Sequence, residues 1–288
     1  MSSTRQLKSR IRSVTSTKQI TKAMQMVAAS KMRRAQEAEK ETIDYTRHAN
    51  ELLAYLGSQV VTDEHPLFAK RPIKKRLLIV VASDKGLAGA YNANIFKKYL
   101  VEIKADDQAG IQTTSITVGR KISQFAARLR DTTISGTYDN LPDDLEGSEF
   151  HSILATVVEL FKRGEIDAVD VIYTEFVSSL TQHAVLHRLL PAGRSDAAIG
   201  KDVRDAKFEP NPSVIFDAIV YRLIGTQIFQ AMLDARASEH SMRMVAMKSA
   251  TDNASDLIDD LTLAMNKARQ GAITQELAEI SGGAEAMK

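Results

Sequence analysis

SVIFDAIVYRLIGTQIFQAMLDARASEHSMRMVAMKSATDNASDLIDDLTLAMNKARQGAITQELAEISGGAEAMK, residues 213–288, decides the fold of this chain. No proline interrupts it, and Ala, Met, Leu, Glu, Lys, Arg and Gln, the strong helix formers, dominate. Apolar residues recur at helical spacing in Val214/Ala218/Tyr221, Ile224/Ile228/Met232 and Leu257/Leu261/Ala264/Ala268. At 1.5 Å per residue, a helix from Ser213 to Ile280 would be roughly 100 Å long. Such a helix cannot bury its apolar stripe alone in water. It needs a second helix along its length, or a sheath made by other chains.

A partner lies at the other end of the sequence. Residues 3–56 also lack proline, and Leu7/Ile11/Val14, Ile20/Met24/Val27 and Leu52/Leu53/Leu56 fit helical spacing, with Gly57 as the stop. Between Ile20 and Met32 the apolar residues spread round much of the helix, so neighbours are expected on more than one side. Setting Leu56 level with Ser213 in an antiparallel pair puts Met24 near Val245 and Thr4 near Met265. Beyond about residue 265 the C-terminal helix then projects alone. In this register Asp252, Asp256, Asp259 and Asp260 fall alongside Lys18, Arg12 and Arg10, and Ala246, Ala250 and Ala254 let the two backbones approach.

The middle of the chain has another rhythm. Leu77-Leu78-Ile79-Val80-Val81-Ala82 is a short run typical of a strand buried on both faces. Ser83 to Gly89 is a polar turn, and Asn92 to Lys104 a helix. Thr114–Val118, Val169–Phe176 and Ala184–Leu190 read as strands, with helices from Gly119 through Arg130 and from Ser148 to Arg163. The alternation predicts an α/β domain with a largely parallel sheet. The organisation is therefore an N-terminal coiled-coil helix (1–57), an inserted Rossmann-like α/β domain (76–192) and a C-terminal coiled-coil helix with its tip (213–288). Residues 58–75 and 193–212 are connectors.

Composition narrows the function. The 288 residues include no cysteine, which excludes disulfides, thiol catalysis and cysteine metal sites. No apolar run is long enough to span a bilayer. The net charge of +2 hides an uneven distribution: residues 1–40 hold ten Lys/Arg against Glu37 and Glu39, whereas residues 213–288 are mildly acidic. The turn Ser83 to Gly89 lacks the G-x-G-x-x-G spacing of a dinucleotide loop, and no P-loop occurs. The six histidines show no metal-binding spacing, and no nucleophile elbow is present. No catalytic group, cofactor or metal is expected. The basic helix could be a solvated coiled-coil face or a nucleic-acid surface, although it carries no aromatic residue before Tyr45. It could equally meet an acidic protein partner, because Met24, Met26 and Met32 beside Lys31, Arg33 and Arg34 combine adaptable apolar contact with charge that has few acids opposite it.

Three blocks carry a family resemblance. They are Ile11-Arg12-Ser13-Val14 with Thr17 to Met24 and Met26 to Arg33, then Ser238-Glu239-His240 with Met242 to Ala254, and finally Asn266-Lys267-Ala268-Arg269-Gln270-Gly271-Ala272-Ile273-Thr274-Gln275-Glu276-Leu277. Together with Ser83 to Gly89 they resemble, in order and from end to end, the gamma subunits of F-type ATP synthases. The resemblance implies a rotor shaft, one copy per complex. Its paired helices would enter a ring of three alpha and three beta subunits, and its α/β domain would meet the epsilon subunit and the membrane ring of c subunits. Such a shaft carries no catalytic group; it couples rotation of the c ring to ATP synthesis or hydrolysis at beta-subunit sites.

By motif, Met24 with Lys31, Arg33 and Arg34 resembles the collar facing an acidic beta-subunit loop. Arg269, Gln270, Thr274 and Glu276 resemble the polar contacts of the tip. Phe208-Glu209-Pro210 aligns with the link near epsilon and the c ring, and departs there from an aromatic-rich version. The absence of a paired-cysteine segment and of a transit peptide implies a bacterial form, peripheral at the cytoplasmic face of the plasma membrane. The rival reading is a nucleotide- or flavin-binding α/β protein with a coiled-coil oligomerisation rod.

Overall fold

The computed structural model describes residues 4–57, 65–130, 132–142, 150–192 and 212–286. Its elements are α1 (Thr4–Gly57), β1 (Lys75–Val81), α2 (Tyr91–Ala109), β2 (Gln112–Val118), α3 (Arg120–Ala126), β3 (Thr133–Tyr138), α4 (His151–Lys162), β4 (Ala168–Phe176), β5 (Gln182–Leu190) and α5 (Pro212–Ala286). They divide into two compact units, Ala29–Met242 and Met1–Ala28 with Arg243–Lys288.

In the first unit the strand order is β3-β2-β1-β4-β5. β1 pairs in parallel with β2 and β4, β2 in parallel with β3, and only β5 runs antiparallel. Because β1 is central, both its faces are covered, and Leu77 through Val80 are essentially inaccessible. Leu77, Ile79 and Val81 pack with Val169 and Val171 of β4 against α4 and against Val220, Leu223, Ile224, Ile228, Met232 and Ala235 of α5. Leu78 and Val80 face Ile95 and Tyr99 of α2 and Ile122 and Ala126 of α3. Each fully buried aliphatic side chain in these layers contributes about 2 kcal/mol.

The sheet's polar end is tied by charge. Arg76, buried at the start of β1, donates to Asp170 of β4 (2.5 Å) and to Asp106 of α2 (2.9 Å). Polar rungs also join α1 to α5 within this unit: Thr42 and Thr46 donate to Gln230 Oε1 (3.0 and 3.3 Å), and Gln227 Nε2 donates to Asn50 Oδ1 (2.5 Å).

Two sequence expectations for this unit need correction. Thr133–Tyr138 is a fifth strand that the pattern did not reveal; it lies at the sheet edge, carries Gly136, and alternates exposed with half-buried residues. The helix expected through Arg130 stops at Ala126, because Arg128 and Leu129 donate to carbonyls three residues back and tighten the chain into turns.

The second unit is a helix pair. On α1 the buried or half-buried positions include Leu7, Ile11, Val14, Lys18, Thr21, Gln25 and Ala28; on α5 they include Met247, Thr251, Ala254, Ile258, Leu261, Met265 and Ala268. Both series step by four and three, the repeat of a left-handed coiled coil. Thr251 Oγ1 donates to Thr21 Oγ1 at 2.8 Å and fixes the register. The sequence register set Thr21 level with Lys248, so the observed pairing lies three residues further along α5. The phase differs as well. Leu257 is 47% exposed and Ala264 is exposed, whereas Met247, Thr251 and Ala254 are buried. Among the described residues no ion pair joins Asp252, Asp256, Asp259 or Asp260 to Arg10, Arg12 or Lys18; the seam, not surface charge, closes the pair.

Candidate functional site

Two regions could carry function: the surface of the helix pair, and the crevice at the carboxyl ends of the strands, where sheets of this kind bind nucleotides.

The crevice is filled by the chain itself. Met232, Ala235, Arg236 and Glu239 of α5 line it with Val81, Ala82, Asp84, Tyr91, Val118 and Leu141, leaving only about 10 Å³. Arg236 Nη2 donates to the carbonyls of Leu141 and Pro142 (3.0 and 3.3 Å), and Ser238 Oγ donates to the Thr174 carbonyl (3.1 Å). The start of α3 is tied to the turn after β1 by the Asp84 carboxylate. Its Oδ1 accepts from the amides of Arg120 (2.9 Å) and Asn140 (3.0 Å). Gly119 permits this packing: its φ is +100°, and a Cβ there would lie 2.2 Å from the Ala82 carbonyl oxygen. The turn Ser83 to Gly89 thus positions backbone. Ser83 Oγ donates to the Lys85 carbonyl (2.7 Å), and its amide donates to Asn92 Oδ1 (3.2 Å).

Among the described residues no group of three or more His, Asp or Glu side chains is placed to hold a metal ion. No described helix is long and apolar enough to cross a membrane.

The helix surfaces are different. From Arg269 to Ser281 every residue of α5 is exposed. Arg269, Gln270, Thr274 and Glu276 all lie on this stretch, and Thr274 Oγ1 folds back onto the Gln270 carbonyl (3.0 Å). The same stretch carries a feature that motif reading passed over. Ile273, Leu277 and Ile280 are 51%, 60% and 64% exposed and form one stripe at i, i+4, i+7. The helical spacing of three apolar residues beyond the end of the seam was the available signal.

On α1, Ile20 and Val27 are also more than half exposed, and Met24 between them is half-buried. This is the second apolar face that the sequence led us to expect. In the α/β unit, Lys31 is half-buried and Arg33 and Arg34 are exposed. Lys31 and Arg34 are each engaged by an interaction of their own. Phe208 and Glu209 lie outside the described residues, as does most of the link around them.

A buried acidic group lies where α1, α5 and β4 meet. Burial, then the neighbouring Glu39 and Glu175, push the Asp234 carboxyl up to about 7, against a stabilising hydrogen bond from Gln230 (3.0 Å). Burial also raises Glu39, opposed by Lys40, and raises the Tyr173 hydroxyl.

Comparison with known proteins identifies what this arrangement is. The ATP synthase family model matches residues 3–287. The ATP synthase gamma chain of Heliobacterium modesticaldum is 40% identical over 98% of both chains, and that of Stenotrophomonas maltophilia R551-3 is 38% identical over the full length of both. The chain belongs to the ATP synthase gamma-chain family. Its fold is similar to a chain of the Euglena gracilis mitochondrial ATP synthase rotor, with a TM-score of 0.65 at 19% identity over 94% of this chain and 98% of that one. A chain from the central stalk and c ring of Tetrahymena thermophila gives 0.58 at 22% identity, over 80% of this chain and 99% of that one. A gamma chain is a subunit of a larger machine, which accounts for long helices whose apolar faces no described residue covers.

Proposed function

We propose that this chain is the central rotor shaft of an F-type ATP synthase, coupling rotation of a membrane c ring to ATP synthesis or hydrolysis at beta-subunit sites. The observation that carries the reading is the end of α5. A helix exposed on every side from Arg269 to Ser281, with an apolar stripe along it, is stable only inside a sheath. Alpha and beta subunits, three of each around one gamma, would supply that sheath.

The mechanism is mechanical. A single rod of two unlike helices inside a threefold ring presents a different face to each equivalent subunit, so rotation biases the three sites in turn. The shaft adds no catalytic group of its own; α5 occupies the crevice in which a sheet of this kind would otherwise bind a nucleotide.

Within this reading, Met24, Lys31, Arg33 and Arg34 meet an acidic beta-subunit loop, and Arg269, Gln270, Thr274 and Glu276 make the polar contacts of the tip. Phe208 and Glu209 approach epsilon and the c ring. The α/β region forms the foot. The proposed location is peripheral, at the cytoplasmic face of a bacterial plasma membrane, as expected for a chain whose relatives at 36–40% identity are bacterial.

Native mass spectrometry of the tagged chain purified from its host membranes, with an ATPase assay on each species, tests the assignment. One copy with three alpha-type and three beta-type chains, hydrolysing ATP only in that assembly, is expected. A free monomer or homodimer that hydrolyses a nucleotide alone would overturn it.

A further inference from the structure

At the opposite end of the sheet from the filled crevice, a cavity of about 320 Å³ is lined by Lys70, Arg71, Ile73, Arg188 and Pro191. Three of these five residues are cationic and none is acidic. Two of the cations are held rigidly. Arg71 donates through Nη2 to the carbonyls of Phe161 (2.8 Å) and Ile166 (3.2 Å), and its guanidinium stacks 4.6 Å over the Phe161 ring. Gly164, at φ +71°, makes room for it: a Cβ there would lie 3.2 Å from Arg71 Nη1. Arg188 is anchored through Nε to Asp170, which also accepts from Arg76.

What these anchors leave over points to a ligand. Arg188 Nη1 and Arg71 Nε are buried, and neither makes a hydrogen bond. Arg71 Nε lies 3.4 Å from Asp167 Oδ1, an ion pair without hydrogen-bond alignment, while Asp167 Oδ2 accepts from the amides of Lys74 and Lys75 (3.0 Å each). A buried guanidinium nitrogen without an acceptor is costly, and turning toward an anion held in the cavity removes that cost. Lys70 is exposed at the rim and free to close over a charge brought into the cavity.

We propose that this cavity is an anion site for a phosphoryl group. Forked guanidinium donors match the oxygens of a tetrahedral phosphate, and a flexible ammonium adds a point charge. The volume exceeds that of a single carboxylate. Two sources share the chemistry: free phosphate, and the headgroup of an anionic lipid. The inference rests on these residues alone and is independent of the rotor reading.

The test uses the full chain on its own, so that phosphate sites of other subunits do not contribute. Inorganic phosphate is titrated calorimetrically at constant ionic strength set with chloride. In parallel, the chain is sedimented with phosphatidylcholine vesicles containing phosphatidylglycerol. Because removing Arg188 would strand Asp170 and could unfold the protein, the variants are Lys70→Gln at the rim and Ile73→Glu, which brings a carboxylate to the cavity. Saturable phosphate heat that weakens on the order of tenfold in Lys70→Gln and vanishes in Ile73→Glu supports a free-anion site. Sedimentation lost in both variants, without phosphate heat, supports a headgroup site. No binding above the chloride control, or binding that neither variant alters, overturns the proposal.

Discussion

Thr21 and Thr251 stand 230 residues apart in sequence, yet their hydroxyls share a 2.8 Å hydrogen bond in the seam between the two terminal helices. Each also has a carbonyl on its own helix within reach, Lys18 for Thr21 and Met247 for Thr251. A polar layer among apolar ones fixes register, because sliding either helix leaves a buried hydroxyl without its partner. Thr21→Val alone should lower stability by about 1 kcal/mol, whereas Thr21→Val with Thr251→Val should cost less than the two singles together. A double-mutant cycle by denaturant unfolding reads this directly; additive effects would mean that the pair contributes nothing to register.

Gly119 should tolerate no side chain. Its φ of +100° and the 2.2 Å approach of Ala82 both oppose a Cβ. Gly119→Ala is expected to cost about 3 kcal/mol or more, because backbone rather than a flexible side chain must move. Thermal unfolding would detect this; a wild-type midpoint would mean that α3 and β1 are not packed as described.

Asp234 sets a pH dependence. Its carboxyl is raised from 3.8 to about 7, chiefly by burial and then by Glu39 and Glu175, so the folded chain holds a proton that the unfolded chain has released. The native preference for that proton is fully satisfied below pH 3.8. Its contribution to stability is lost progressively as pH rises toward 7, at up to about 1.4 kcal/mol per pH unit. Asp234→Asn should flatten this decline and be more stable than the parent at pH 8. Denaturant midpoints across pH 5–8 test it, and parallel curves for the two proteins would remove Asp234 as the cause.

The exposed stripe on α5 should matter to assembly and not to folding. Ile273→Gln and Leu277→Gln remove apolar surface that no described part of the chain covers, so the free chain should change by less than about 0.5 kcal/mol. Recovery of the intact complex on a native gel should fall. Destabilisation of the free chain instead would show that the stripe packs intramolecularly.

These outcomes separate what was legible in the sequence from what was not. Leu77 to Ala82 announced itself because a run with no polar break has few alternatives to a central strand. Thr133–Tyr138 did not, because an edge strand meets the core on one side only and its residues are as polar as a loop's. The helix pair was legible as a pair, but not in phase. Leu257, Leu261 and Ala264 compete for the seam on pattern alone, and a buried Thr251 looks polar until its partner is known. The tip at Arg269 was placed within a turn because it depends only on where α1 runs out. The cavity beside Arg71 and Arg188 was invisible, since its residues come from two ends of the domain and meet only through the sheet.

The crevice filled by Met232, Ala235, Arg236 and Glu239 has a further consequence. Of these, Met232 and Ala235 belong both to the helix that the sheet grips and to the sheet's own core. The helix cannot turn against the sheet without emptying that core, so there is no slip plane at the joint. A twist applied to the sheet therefore carries with it the stretch of helix that the sheet grips.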